Sequence, residues 1–205
     1  MKQRDRVVFF GDSITQAGAG KGGYVTLVRE AVERRHPDLG VEIIGAGTSG
    51  NRVPDLQQRL DRDVLAKKPT VCVVYIGIND VWHTERGRGT SKEEYEAGLD
   101  DLLSRLKGAG VRTILCTPSV IGERADGSNK LDALLDEYSA ISRAVAQKHG
   151  VQALDLRAKF LAHLKDANEG NAEKNVLTTD GVHLNAAGNR FVAAQMLAAL
   201  GVAAD

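Results

Sequence analysis

The chain has 205 residues, and its 27 Lys and Arg balance its 27 Asp and Glu to a formal charge of zero. With 42% hydrophobic, 26% charged and 4% aromatic residues, it is expected to form one globular domain over 1–205, large enough to fold without staples. The balance excludes a disordered chain and argues against nucleic acid as a partner, which calls for a basic surplus or stripe.

The first six residues are charged or polar except Met1, and only Val7, Val8, Phe9 and Phe10 follow. That run is too short for the apolar core of a secretory signal, and no stretch approaches the ~18 apolar residues of a membrane span. A cytoplasmic location is the default expectation, with a secreted or periplasmic one if a leader was removed. The first strand is predicted at 6–10. A helix follows at 24–35, with Val25, Val28, Ala31 and Val32 on one side. A second strand is predicted at 41–45, then a helix at 54–66 that places Pro54 in its first turn. The third strand spans 70–76. Ser91-Lys92-Glu93-Glu94 forms a capping box, opening a helix that runs through Leu99, Leu102, Leu103 and Leu106 to Gly108 and Gly110. The fourth strand is predicted at 112–117, a long helix at 130–149 ending on Gly150, the fifth strand at 151–154, and a last helix at 185–200 capped by Asn185. Residues 166–179 are the longest irregular stretch, and the charged segment 165–174 reads as a solvated loop. His36, His149 and His163 read as surface histidines.

The runs at 71–76 and 113–116 are continuous in apolar residues, as suits strands covered on both faces of a parallel sheet. Cys72 and Cys116 lie inside such runs and read as buried small hydrophobes. Strand–helix alternation implies right-handed crossovers and a three-layer α/β/α sandwich. In such sheets ligands bind beyond the carboxyl ends of the strands, and four of the 22 glycines, Gly11, Gly47, Gly50 and Gly77, are each expected just after a strand. The segments are Gly11-Asp12-Ser13, 45–51, Gly77-Ile78-Asn79-Asp80 and, before the last helix, Asp180-Gly181-Val182-His183.

Together they hold the parts of an acyl-transfer site. Ser13 is a hydroxyl nucleophile on a tight turn. His183 is a general base, since imidazole titrates near neutral pH, and activity is expected to rise with pH as it loses its proton. Asp180, three residues earlier, can accept the ring N–H. The backbone amides of Ser13 and Gly50 and the side-chain amide of Asn79 can converge on an oxyanion. Candidate substrate contacts are Asp12, also a natural turn former, Asn51, Trp82 and His83. Trp82 and His83 follow Asn79-Asp80 directly and should stand at the edge of the site; Asn51 and Arg52 suit equally a contact or a solvated turn, and Asp80 reads as structural support.

Gly-Asp-Ser, the isolated glycine block, Gly-x-Asn-Asp and Asp-x-x-His, in this order from residue 9 to 185, resemble the SGNH or GDSL-type hydrolases. Ile14 stands where the family name has leucine, a change between bulky aliphatics. The resemblance implies a flavodoxin-like five-stranded parallel sheet in the order 2-1-3-4-5. It also implies that Ser13 is the nucleophile, Gly50 and Asn79 oxyanion donors, and Asp180 and His183 the rest of a triad. The implied activity is a serine ester hydrolase working through an acyl-enzyme, expected to favour short acyl groups such as acetyl, on a small-molecule or carbohydrate ester. Thioesterase, lysophospholipase and carbohydrate deacetylase are the neighbouring assignments, and a non-catalytic binding protein on the same fold is the alternative of another class.

Neighbouring folds fit less well. Thr15 stands where an α/β-hydrolase elbow needs glycine, Ile14 replaces the second aspartate of an Asp-x-Asp-x-Thr phosphatase, and Gly18-Ala19-Gly20-Lys21 lacks the spacing of a P-loop. No His-Glu-x-x-His pattern or Cys/His cluster is present, so no metal and no cofactor is expected. The oligomeric state is left open.

Overall fold

A computed structural model describes residues 1–202; the last three positions of the expected 1–205 unit lie outside the described residues. Strands β1 (Arg6–Gly11), β2 (Glu42–Gly47), β3 (Val71–Tyr75), β4 (Arg112–Cys116) and β5 (Gln152–Leu154) are parallel throughout, in the order β2-β1-β3-β4-β5. The helices are α1 (Ser13–Gly18), α2 (Tyr24–Arg35), α3 (Val53–Asp63), α4 (Ile78–Trp82), α5 (Lys92–Gly108), α6 (Asp132–His149), α7 (Leu156–Ala167) and α8 (Ala186–Leu200).

The central strands are the apolar runs. Val7 to Phe10 and Val71 to Tyr75 are all buried, because each is covered on both faces by helices. At the edge, Gln152 and Ala153 of β5 are exposed. The chain steps one way from β1 to β2 and then reverses to reach β3, so right-handed crossovers place α2 on one face and α3, α5 and α6 on the other. The contacts agree: α5 packs against both α3 and α6, while α2 packs against α8. Phe160 of α7 meets Phe191 of α8 edge to face, with centroids 5.1 Å apart. The result is the three-layer α/β/α sandwich with the expected strand order.

Several boundaries differ from the sequence reading. β2 runs from Glu42 to Gly47, and Gly11 closes β1, so Gly11 and Gly47 are strand ends and not the loops beyond. The helix expected at 54–66 stops at Asp63, and 65–67 forms a separate 3-10 turn. The long helix begins at Asp132, two residues later than expected. Three helices were absent from the reading. α1 and α4 span one to two turns, too short for a periodic signal. α7 carries the buried Leu156, Phe160 and Leu164 at helical spacing, and it takes in the first part of the segment read as a solvated loop. Asn168, just beyond it, is buried, not solvated, and its side chain bonds the carbonyls of Glu123 and Ala172. His149 is not a free surface histidine either: its Nε2 lies 2.7 Å from Asp100 Oδ1. His163 stacks obliquely on Phe191.

Candidate active site

The reversal of strand order between β1 and β3 opens a crevice at their carboxyl ends, and the predicted residues gather there. Ser13 is the first residue of α1. Asp12 before it caps that helix, its Oδ1 accepting the Ile14 amide at 2.9 Å. Only 2% of Asp12 is exposed, so this candidate substrate contact is turned into the protein as a turn former. Burial, reinforced by the charge of Asp80, pushes its carboxyl up to about 7, against the opposing pull of the Ile14 amide and His183.

The segment carrying Asp180 and His183 is a tight loop closed at its base by a bridge between Thr178 and Leu184 and by the Thr179 amide donating to the His183 carbonyl at 2.8 Å. Asp180 Oδ1 accepts the amides of Val182 and His183 at 3.0 and 2.8 Å, which aims Oδ2 at His183 Nδ1, 2.7 Å away. His183 Nε2 then lies 2.9 Å from Ser13 Oγ. With the ring proton on Nδ1, facing Asp180, Nε2 offers its lone pair to the Ser13 hydroxyl. Partial burial works against the charge of Asp180, but the His183 ring and the two amides outweigh it and hold its pKa below the usual carboxylate value. The cluster opens to solvent: the side chains of His183 and Asp180 are 36% and 47% exposed.

Across the crevice lie the ends of β2 and β3. Gly50 has φ +77°, a conformation that L side chains rarely adopt. Gly77 has φ +118°, and a Cβ there would come within 2.5 Å of the Tyr95 hydroxyl on α5, so glycine suits the turn that leads from β3 into α4. Asn79, on α4, donates from Nδ2 to the Asn51 carbonyl at 3.0 Å. Asn51 Oδ1 in turn accepts from Arg59 Nε at 2.6 Å, so the backbone and side-chain oxygens of Asn51 both hold the loop together. Arg52 caps α3 and reaches the Arg88 carbonyl. Asp80 is fully buried, accepts the Val53 amide at 3.0 Å, and is pushed up to about 6 by burial against its hydrogen bonds. It supports the start of α3, as read from sequence.

Trp82 stands at the rim, edge to face with His183 at a centroid distance of 6.2 Å. His83 beside it is partly buried, and burial together with Arg52, Arg88 and Arg86 lowers its pKa. A cavity of about 310 Å³ runs from Trp82 and Asp180 to the loop after β4, lined by Ile121, Arg124 and Lys130 among others. Two residues that sequence reasoning missed organise the surroundings. Glu123, fully buried, accepts the amides of Val176, Leu177 and Thr178, each at 2.7 Å. Arg59 ties loops together, as argued below. A loop glutamate carries no periodic signal; Arg59 does share the inward face of α3 with Leu56 and Leu60. Among the described residues no group of three or more His, Cys, Asp or Glu side chains is arranged to hold a metal, and no helix is long and apolar enough to cross a membrane.

Comparison with known proteins agrees with this geometry. A solved acetyl xylan esterase superposes with a TM-score of 0.93 at 43% identity, covering 95% of this chain and 99% of that one. An acetylxylan esterase from Geobacillus stearothermophilus is 30% identical over 96% of this chain and 94% of its own length. Solved variants of an acetylxylan esterase from that organism, with a serine, an aspartate or a histidine replaced by alanine, are described as catalytic mutants; they superpose at 28% identity with TM-scores of 0.87 to 0.88, covering 98–99% of this chain and 96–97% of theirs. An isoamyl acetate-hydrolyzing esterase 1 homolog of Rattus norvegicus is 27% identical over 91% of this chain and 78% of its length. Residues 9–191 match the GDSL-like lipase/acylhydrolase family; the chain belongs to that family and is a carboxylic ester hydrolase.

Proposed function

We propose that the chain hydrolyses esters of short acyl groups, acetyl foremost, through a Ser13–His183–Asp180 triad and an acyl-enzyme. The observation that carries this reading is the unbroken chain of contacts from Ser13 Oγ to His183 Nε2 at 2.9 Å and from Nδ1 to Asp180 at 2.7 Å. His183 takes the hydroxyl proton as Ser13 Oγ attacks the ester carbonyl, and Asp180 steadies the imidazolium so formed. The amides of Ser13 and Gly50 and the second N–H of Asn79 Nδ2 receive the oxyanion. As the tetrahedral adduct collapses, the alcohol leaves with the proton from His183. Water, deprotonated by the same ring, then attacks the acyl-enzyme, releasing the acid and restoring Ser13.

Two facts favour a short acyl group. No large hydrophobic side chain is exposed among the described residues, so a long chain would find little apolar surface to lie on. Relatives whose names carry a substrate are named for acetyl esters, acetylxylan and isoamyl acetate. The test is a panel of p-nitrophenyl esters from acetate to octanoate, with an acetyl thioester beside them, run on the parent and Ser13→Ala. Acetate should be the best ester, and Ser13→Ala should lose nearly all turnover; undiminished activity in Ser13→Ala would overturn the mechanism.

A further inference from the structure

The direction of proton flow assigns the two sides of the crevice. The carbonyl oxygen must face Gly50 and Asn79, and the departing oxygen must lie within reach of His183 Nε2, which hands it a proton. The alcohol half of the ester therefore extends past His183, on the side where Trp82 stands edge to face with the ring and where the 310 Å³ cavity opens beside Asp180. That volume lies at the lower end of the roughly 300–1,000 Å³ of small-ligand sites. We propose that this groove binds the alcohol half as a neutral pyranose, laid with one face on the Trp82 indole; the assignment rests on the ester-hydrolase reading above.

The lining selects the chemistry. Its cations are already matched: Lys130 pairs with Glu85 at 2.7 Å and Arg124 with Glu173 at 3.1 Å. An anionic alcohol would have to displace these carboxylates to gain a cation. An alkyl chain would have to cover four charged groups and strip their water without replacing its hydrogen bonds. A sugar needs neither. Its hydroxyls can donate to Glu85 and Glu173 and bond the exposed Ser128 hydroxyl while the ion pairs persist, and its C–H face suits the flat apolar body of an indole.

Trp82 is the only tryptophan in the chain, so its emission reports on the groove directly. Ser13→Ala protein titrated with xylotriose, a neutral oligosaccharide, should show a saturable change in emission, and n-octanol should not produce it. The kinetic arm compares kcat/KM for acetylated xylotriose with that for ethyl acetate, whose alcohol is too small to reach the groove. In Trp82→Ala the ratio of the two should fall about tenfold, the order expected for one lost aromatic contact. Ser128→Trp, which fills the groove away from His183, should lower the same ratio. A flat fluorescence titration, or a ratio unchanged in both variants, would overturn the proposal. So would a fall in the octanoate-to-acetate ratio in its place, which would put the acyl chain in the groove. Failure of the parent to hydrolyse either ester would instead overturn the hydrolase mechanism, and the titration would still decide what the groove binds.

Discussion

Arg59 lies almost wholly inside the protein, over the Phe10 ring at 4.4 Å. Its guanidinium donates to the Gly11 carbonyl at 2.5 Å, to Ala46 at 2.9 Å, to Asn51 Oδ1 at 2.6 Å and to Asp63 at 3.1 Å. One side chain thereby joins the strand end before Ser13, the strand end before Gly50 and the loop that holds Asn79. Burial lowers its pKa against the support of Asp63, yet an arginine stays charged and keeps its planar fork. Arg59→Lys retains the charge and loses the fork. We expect kcat to fall about tenfold to a hundredfold, because small misplacements of reacting groups have effects of that size, with KM changed much less. Steady-state kinetics on p-nitrophenyl acetate, with the thermal midpoint as control, checks this; equal losses in kcat and stability-matched variants elsewhere on α3 would count against it. Asn79→Ala should lower kcat by about 10²–10³, the range for one oxyanion donor, in the same assay. At this scale Ser13, Asp180, His183, Gly50 and Asn79 were legible as candidates because motif spacing names residue types. Arg59 was not, since helical spacing shows that it faces inward but not which carbonyls it meets.

Among the elements, the loop from α7 to α8 carries Asp180 and His183 yet has almost no regular structure of its own. Its one bridge, Thr178 to Leu184, is too small to hold it. The loop after β4 does so from outside: Glu123 takes three of its amides, the Gly122 amide donates to the Gly181 carbonyl at 2.8 Å, and the Glu123 amide to Glu173 at 2.9 Å. In Glu123→Gln the amide NH2 would confront a backbone N–H, leaving at least one buried donor unmatched. That should lower stability by about 1–3 kcal/mol in urea unfolding. It should also lower kcat on ethyl acetate by more than KM changes, since the contact between Asp180 and His183 depends on this loop; a stability loss with kcat intact would make Glu123 a purely structural staple. The irregular character of the segment was legible from its polar composition. What anchors it was not, because Glu123 is 53 residues or more away in sequence from the amides it binds.

For the molecule as a whole, equal numbers of acids and bases hide buried carboxylates held by neutral hydrogen-bond donors, Asp12 and Asp80 among them. A carboxyl whose folded pKa lies above its unfolded value binds more protons when folded, so its contribution is full below about pH 4 and is lost as pH rises through the folded value. For Asp12 that window runs from about 4 to about 7. Asp12→Asn keeps the oxygen that caps Ile14 and removes the titration. Relative to the parent it should gain stability between pH 4 and pH 8, by at most about 4 kcal/mol; urea unfolding at both pH values measures it, and a constant difference would show that Asp12 does not titrate there. The fold itself was largely written in the chain. Continuous apolar runs at 71–76 and 113–116 suit strands covered on both faces, and their alternation with helical patterns points to a parallel sheet between helical layers. The residue types of the site were also determined locally, by short motifs beside strand ends. What tertiary structure alone decided is where those motifs meet and what holds them. The ion-paired groove beside Trp82, the Arg59 tie and the Glu123 anchor are each built from segments far apart in sequence, and neither periodicity nor spacing records which distant backbone groups a buried charge must satisfy.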